Sequence, residues 1–279
     1  MINLDRIGIL DEYFKNKAPL PVAWSWILGD SVTVFEMPFS FAFNAAMQGG
    51  FFEERDGKIW KWEKNGSGSE AVNSWINDLR NKKMFPALDE KVFETMEGQP
   101  YLEKRKAIIK EFMDPVKKRK LYNTIIGEGL ITKSFFFGRT ELDKLIEIYP
   151  ESFGEDPLKK KALLVLLFAS EWLSYMGHRV KNPLPIPSDY QMPRIFEYFG
   201  LIEIDDDFKA KLINKKLLDP SSAEVTAFRS AAIDIADELA KRNNIFPYQV
   251  DSALFPIVRK DKKFIEESLP PMQINTMWF

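Results

Sequence analysis

Few residues in this chain invite a chemical reading, and Asp189 is foremost among them. It stands in KNPLPIPSDYQMPR (181–194), where four prolines (183, 185, 187 and 193) fall within eleven positions. Proline fixes its own φ and restricts the residue before it, so this segment is a stiff connector able to hold a carboxylate in one place. The plain alternative for Asp189 is capping of a helix that starts near Pro193. Lys159, Lys160 and Lys161 open the most apolar helical stretch of the chain. They read as surface lysines lying along that helix, with one of them a candidate to turn inward.

Composition closes other chemistries. The chain of 279 residues has no cysteine, which removes disulfides, thiolate metal sites and thiol nucleophiles. A single histidine, His178, argues against a zinc site or a Ser-His-Asp triad. It follows a helix near Gly177, where a dipole partner is the ordinary role. NGSGSE (65–70) has neither the Walker lysine nor the Rossmann spacing and reads as a helix-capping loop. EIDDD (203–207) lacks the spaced ligands of a calcium loop and reads as a solvated turn. KKRK (117–120) has no interleaved aromatic residue and reads as a solvated surface. A net charge of -2 favours a small ligand over a nucleic-acid duplex. No metal or cofactor is expected, and no stretch approaches the length and apolarity of a membrane span. The expected compartment is the cytoplasm, and nothing fixes an oligomeric state.

The elements that must position these residues are mostly helical. Arg55-Asp56-Gly57-Lys58 predicts a hairpin turn, giving one small antiparallel β element near residues 50–62. Ser67-x-x-Glu70 predicts a capped helix with Val72, Trp75, Ile76 and Leu79 on one face. Tyr101 to Phe112 reads as an amphipathic helix, and Thr140-x-x-Asp143 as the cap of a short one. The segment 157–176 is the most buried helix by pattern, with Pro157 in its first turn. From Ser221 to Arg242, Val225, Phe228, Ala232, Ile235 and Leu239 recur at steps of three and four behind a Ser221-x-x-Glu224 cap. Residues 270–279 end in bulky apolar side chains that are expected to dock. With no repeat and no flexible linker, residues 1–279 read as one mainly α (α+β) domain.

At SDYQMPR (188–194) the chain resembles the ADYRVPQ signature of the queuosine salvage protein family, the queuosine 5′-phosphate N-glycosidases. The similarity runs without a gap through GLIEIDDDFKAKLINKKLLDPSSAEVTAFR, residues 200–229. Further patches are PYLEKRKAII (100–109), residues 145–172, FSF (39–41), DGKIWKW (56–62) and PPMQINTMWF (270–279). The resemblance implies a helical fold related to the helix-hairpin-helix DNA glycosylases. It also implies hydrolysis of the bond between a 7-deazaguanine base and ribose 5′-phosphate, releasing queuine for tRNA modification without metal or redox cofactor. Under it Asp189 is the catalytic carboxylate, Phe39, Phe41 and Tyr190 hold the base, and Arg194 or Lys161 meets the phosphate. The partner is then a small nucleotide rather than a nucleic acid.

Three positions depart from the family pattern: Gln191 replaces an arginine, Phe255 a tryptophan, and Ala42 follows FSF where the family has tryptophan. Two alternatives stay open. One is an 8-oxoguanine DNA glycosylase and lyase, because Lys161-Ala-Leu-Leu-Val is similar to the archaeal enzymes whose lysine attacks the sugar. The other is a protein that binds a nucleoside without cleaving it.

Overall fold

The computed structural model describes residues 2–15, 33–55, 58–61 and 68–277. In chain order the helices are α1 (Gly8–Lys15), α2 (Met37–Met47), α3 (Ser69–Asn81), α4 (Leu102–Met113), α5 (Pro115–Ile125), α6 (Gly129–Thr132), α7 (Arg139–Ile148) and α8 (Pro150–Phe153). They continue as α9 (Lys160–Tyr175), α10 (Gln191–Tyr198), α11 (Asp206–Ile213), α12 (Ala223–Asn243), α13 (Pro247–Leu254), α14 (Ile257–Lys260) and α15 (Lys262–Glu267). The short strands are β1 (Phe52–Arg55), β2 (Lys58–Lys61), β3 (Ser134–Phe136), β4 (Arg179–Lys181), β5 (Leu217–Leu218) and β6 (Gln273–Ile274). Helix predominates among the described residues and the strands are few and short, so the fold is mainly α, as the periodicity predicts.

The expected antiparallel element is β1 with β2, in register from Phe52↔Lys61 to Arg55↔Lys58. Its turn residues, 56 and 57, lie outside the described residues, as does Ser67 of the predicted cap. Two further pairs, β3–β4 and β5–β6, are parallel and carry no sequence signal. Strands of two or three residues are too short to show a period.

Cα packing divides the chain into two compact units: residues 2–15 with 182–275, and residues 33–181 with 276–277. In the second of these, α2 is the central element. Every residue of MPFSFAFNAAM is buried; nine of the eleven are apolar, and of the two polar ones Asn44 donates to Asn73 Oδ1 at 2.7 Å. Helix α9 packs along it, with α3, α4, α5 and α8 around. The start of α9 is Lys160 and not Pro157. The Asp156 carboxylate accepts from the amides of Leu158 (3.1 Å) and Lys160 (2.8 Å), and Lys159 takes a left-handed φ of 56° between them.

Two glycines follow α2, and Gly50 must be one. Its φ is +59°, its N–H donates to the Thr276 carbonyl at 2.8 Å, and a Cβ there would collide with Met277 Sδ and sit 2.9 Å from Tyr101. Gly50→Ala is expected to cost about 2 kcal/mol through positive-φ strain and overpacking, read by urea unfolding.

In the other unit α12 is the axis, packed by α1, α10 and α13. Val225, Phe228, Ala232, Ile235 and Leu239 are all buried, as their spacing predicts. The cap is Ser222, whose Oγ accepts from Val225 N, one residue beyond the expected Ser221. At its far end, Arg242 and Asn243 reach Asp11 of α1 at 2.9 and 3.1 Å.

Candidate functional site

The Asp189 segment is fixed by a reciprocal pair of hydrogen bonds. Ser188 Oγ donates to the Arg229 carbonyl at 2.8 Å, and Arg229 Nε donates back to the Ser188 carbonyl at 3.0 Å. Ser188 is fully buried and Arg229 is 2% exposed, so α12 pins the backbone of the proline-rich connector in a dry setting. One residue on, Asp189 Oδ1 accepts from Gln191 N at 2.7 Å. Helix α10 therefore starts two residues before Pro193, and the carboxylate satisfies one of its first amides at the positive end of the helix dipole. The N-cap position of α10 is Tyr190, so Asp189 is not the cap of this helix; its bond to Gln191 N orients the carboxylate just before it.

Tyr190 and Arg194 lie in the same cluster. Burial pushes the half-buried Tyr190 phenol up, and the Asp189 charge adds to the shift. The Arg194 guanidinium is pulled down by burial. Its Nε donates to the Leu269 carbonyl (2.7 Å), and its terminal nitrogens donate to Gln191 Oε1 (2.6 Å) and Ser268 Oγ (2.9 Å). Its fork also covers the Phe264 ring, 5.2 Å from the centroid. The residue expected to meet a phosphate thus ties α10 to residues 268–269 through two of its donors and braces Gln191 within α10 with a third.

Lys161, Phe39 and Phe41 belong to the other unit. Lys161 is not a surface lysine: it is 3% exposed, and its Nζ donates to the Ala46 carbonyl at 2.7 Å. Arg105, fully buried, donates from Nε to Pro100 (2.8 Å), from one terminal nitrogen to Met47 (2.9 Å), and from the other to Gly49 (2.8 Å) and Gly50 (3.0 Å). Two cations therefore serve the carbonyl end of α2, where helix carbonyls need donors and the dipole favours positive charge. Burial pulls the Arg105 guanidinium down to about 9, opposed by Glu53. Burial first, and Arg105 second, hold the Lys161 amine well below its ordinary 10.5.

This depression fixes a pH dependence. Between the lowered value and 10.5 the unfolded chain binds a proton at Lys161 that the folded chain does not, so stability rises with pH across that window. Lys161→Met is expected to flatten the rise in a series of urea titrations from neutral to alkaline pH.

The cavity beside Lys161 is about 10 Å³, lined by Ser152, Asp156 and Met277 among others. It has room for one water and none for a base. Phe39 and Phe41 are 2% and 0% exposed. Phe39 packs on Phe43, Phe85 and Phe112 at centroid distances of 6.0, 5.4 and 5.6 Å, and Phe41 on Phe168 at 5.6 Å. As placed, these rings build core; of the three aromatic residues expected to hold a base, Tyr190 alone is not fully buried.

A groove of about 620 Å³ runs along α12 from Glu224 to Asp234. Its lining includes Glu203, Asp205, Glu224 and Asp234 over Ile202 and Phe208, with no lysine or arginine. Four carboxylates disfavour a nucleotide phosphate there. Asp205 also caps α11 through Phe208 N at 2.7 Å, so part of EIDDD is a helix start. His178 follows α9 with its N–H on the Leu173 carbonyl (3.0 Å) and its ring edge-on to Phe135 (5.3 Å). Among the described residues, no group of three or more His, Asp or Glu is arranged to hold a metal ion.

Arg105 and Arg229 were invisible as structural hubs in the sequence. Their signal is a set of backbone carbonyls that need donors, and that exists only once the helices are placed. No family model matches the sequence, and a comparison with curated proteins finds no match.

Proposed function

We propose that this chain is an N-glycosidase that releases a 7-deazaguanine base from a nucleotide such as queuosine 5′-phosphate. One observation supports the reading beyond the sequence resemblance. Asp189 is a carboxylate on a rigid connector, anchored by the Ser188–Arg229 pair and oriented by Gln191 N. Breaking an N-glycosidic bond places positive charge on the sugar, and a fixed carboxylate stabilises that charge and orients the attacking water. Tyr190, half-buried beside it, offers a face to the base. The test is chromatographic detection of free base from queuosine 5′-monophosphate, with wild type and Asp189→Asn run in parallel. Release by wild type alone supports the reading, and no release by wild type removes it.

A second reading, a lyase acting on oxidised-guanine DNA, has one observation in its favour. Burial lowers the pKa of the Lys161 amine, the direction a nucleophilic lysine needs. Borohydride trapping of a DNA–protein adduct that is lost in Lys161→Met is its test.

A further inference from the structure

The groove along α12 plays no part in the glycosidase reading. Its volume, about 620 Å³, is that of a small-molecule site. The floor is apolar and firmly packed. Ile202, Phe208 and Phe228 are buried in it, and the two rings meet edge-on at 5.5 Å. One wall is a face of α12 on which Glu224, Ala227, Ala231 and Asp234 follow one another at steps of three and four. Between its two acids that face carries small side chains, which leaves the space open.

Negative charge is spread along the groove and not gathered at a point. Glu224 and Asp234 lie ten residues apart on α12, about 15 Å along the helix axis. Among the described residues no three acidic groups are arranged to hold one metal ion, so a single divalent cation does not match the pattern. Lys211, which does not line the groove, pairs with Glu224 at 2.9 Å and offsets part of the charge. Asp205 accepts from the neutral Phe208 amide at 2.7 Å and keeps its charge on the groove, and Asp234 stands exposed at the far end.

A ligand complementary to this groove carries positive charge at separated points with apolar links between them. A linear aliphatic polyamine does so: ammonium groups meet the acids at each end, and methylenes cover Ala227, Ala231 and the Phe228 ring.

We propose that the groove binds a linear polyamine lengthwise along α12, with its end ammonium groups on Glu224 and Asp234. The site lies within one unit and does not rest on the glycosidase reading.

Calorimetric titration with spermine and putrescine tests it. Spermine is expected to bind wild type at one site, and putrescine, too short to span both acids, at least about tenfold more weakly. Asp234→Asn and Glu224→Gln are each expected to weaken spermine about tenfold. Ala227→Leu and Ala231→Leu change no charge but fill the groove, and each is expected to weaken spermine by at least as much. Glu147→Gln, which removes an exposed acid of the other unit, is expected to change nothing. Thermal melts check that the variants fold, and excess spermine is expected to raise the wild-type midpoint more than that of Ala231→Leu. Absence of spermine binding to wild type overturns the proposal. So does binding that both leucine variants leave intact, which is diffuse attraction to an acidic surface. Equal weakening by Glu147→Gln and Asp234→Asn, or equal affinity for putrescine and spermine, overturns it as well.

Discussion

Asp189→Asn is expected to lower base release from queuosine 5′-monophosphate by about 10²- to 10⁴-fold while leaving the fold intact. The substitution is nearly isosteric, and an asparagine oxygen accepts the Gln191 amide as the carboxylate does at 2.7 Å. The Ser188–Arg229 pair involves no atom of residue 189, so the connector stays pinned. What is lost is the negative charge. At the head of α10 that loss costs at most about 1 kcal/mol of stability, small beside the expected loss of rate. A wild-type rate in Asp189→Asn, with folding checked by circular dichroism, would remove Asp189 from the chemistry.

Arg105→Met is expected to be the most destabilising single substitution considered, by about 3–5 kcal/mol in urea unfolding. Methionine fills much of the volume but leaves the carbonyls of Met47, Gly49, Gly50 and Pro100 without the donors they now have. Water cannot replace the guanidinium without opening a site in which Arg105 itself is fully buried. A coupled effect follows. Arg105 is one of the charges holding the Lys161 amine down, so its removal moves the Lys161 titration toward higher pH. A loss of stability below about 1 kcal/mol would mean that these carbonyls find other partners.

The long amphipathic helices were legible because contrast was available: α12 alternates steps of three and four, and α3 puts Val72, Trp75, Ile76 and Leu79 on its buried face. Helix α2 was not, since MPFSFAFNAAM has only Ser40 and Asn44 as polar residues, too few to mark a water-facing side. Missing α2 hid Lys161 and Arg105 as well, because their burial is explained only by the carbonyls at its end. Helix starts slipped by one to three residues: before α12 Ser221 Oγ turns to Asp219 and leaves Val225 N to Ser222, and before α9 the Asp156 carboxylate holds the amides of Leu158 and Lys160. Asp189 was legible as a fixed carboxylate from its prolines alone, whereas the residue that fixes it, Arg229, comes forty residues later and makes its bonds through tertiary placement. Within KKRK, Lys118 turns inward, its Nζ 4.4 Å from the Phe39 ring centroid; the charges on either side masked this, and the ring comes from a distant segment.

The interleaving of the two units bears on how the chain is made. Helix α1, which Arg242 and Asn243 hold through Asp11, is translated more than two hundred residues before the helix it packs on. At synthesis rates of about 5–20 residues per second, it waits roughly 10–40 s for α12 to emerge. The unit built around α2 is also completed late, since Gly50 meets Thr276. Until residues 275 and 276 have been synthesised, both units are unfinished. Ribosome-bound intermediates of this protein are expected to depend on holdase chaperones until residue 276 has emerged.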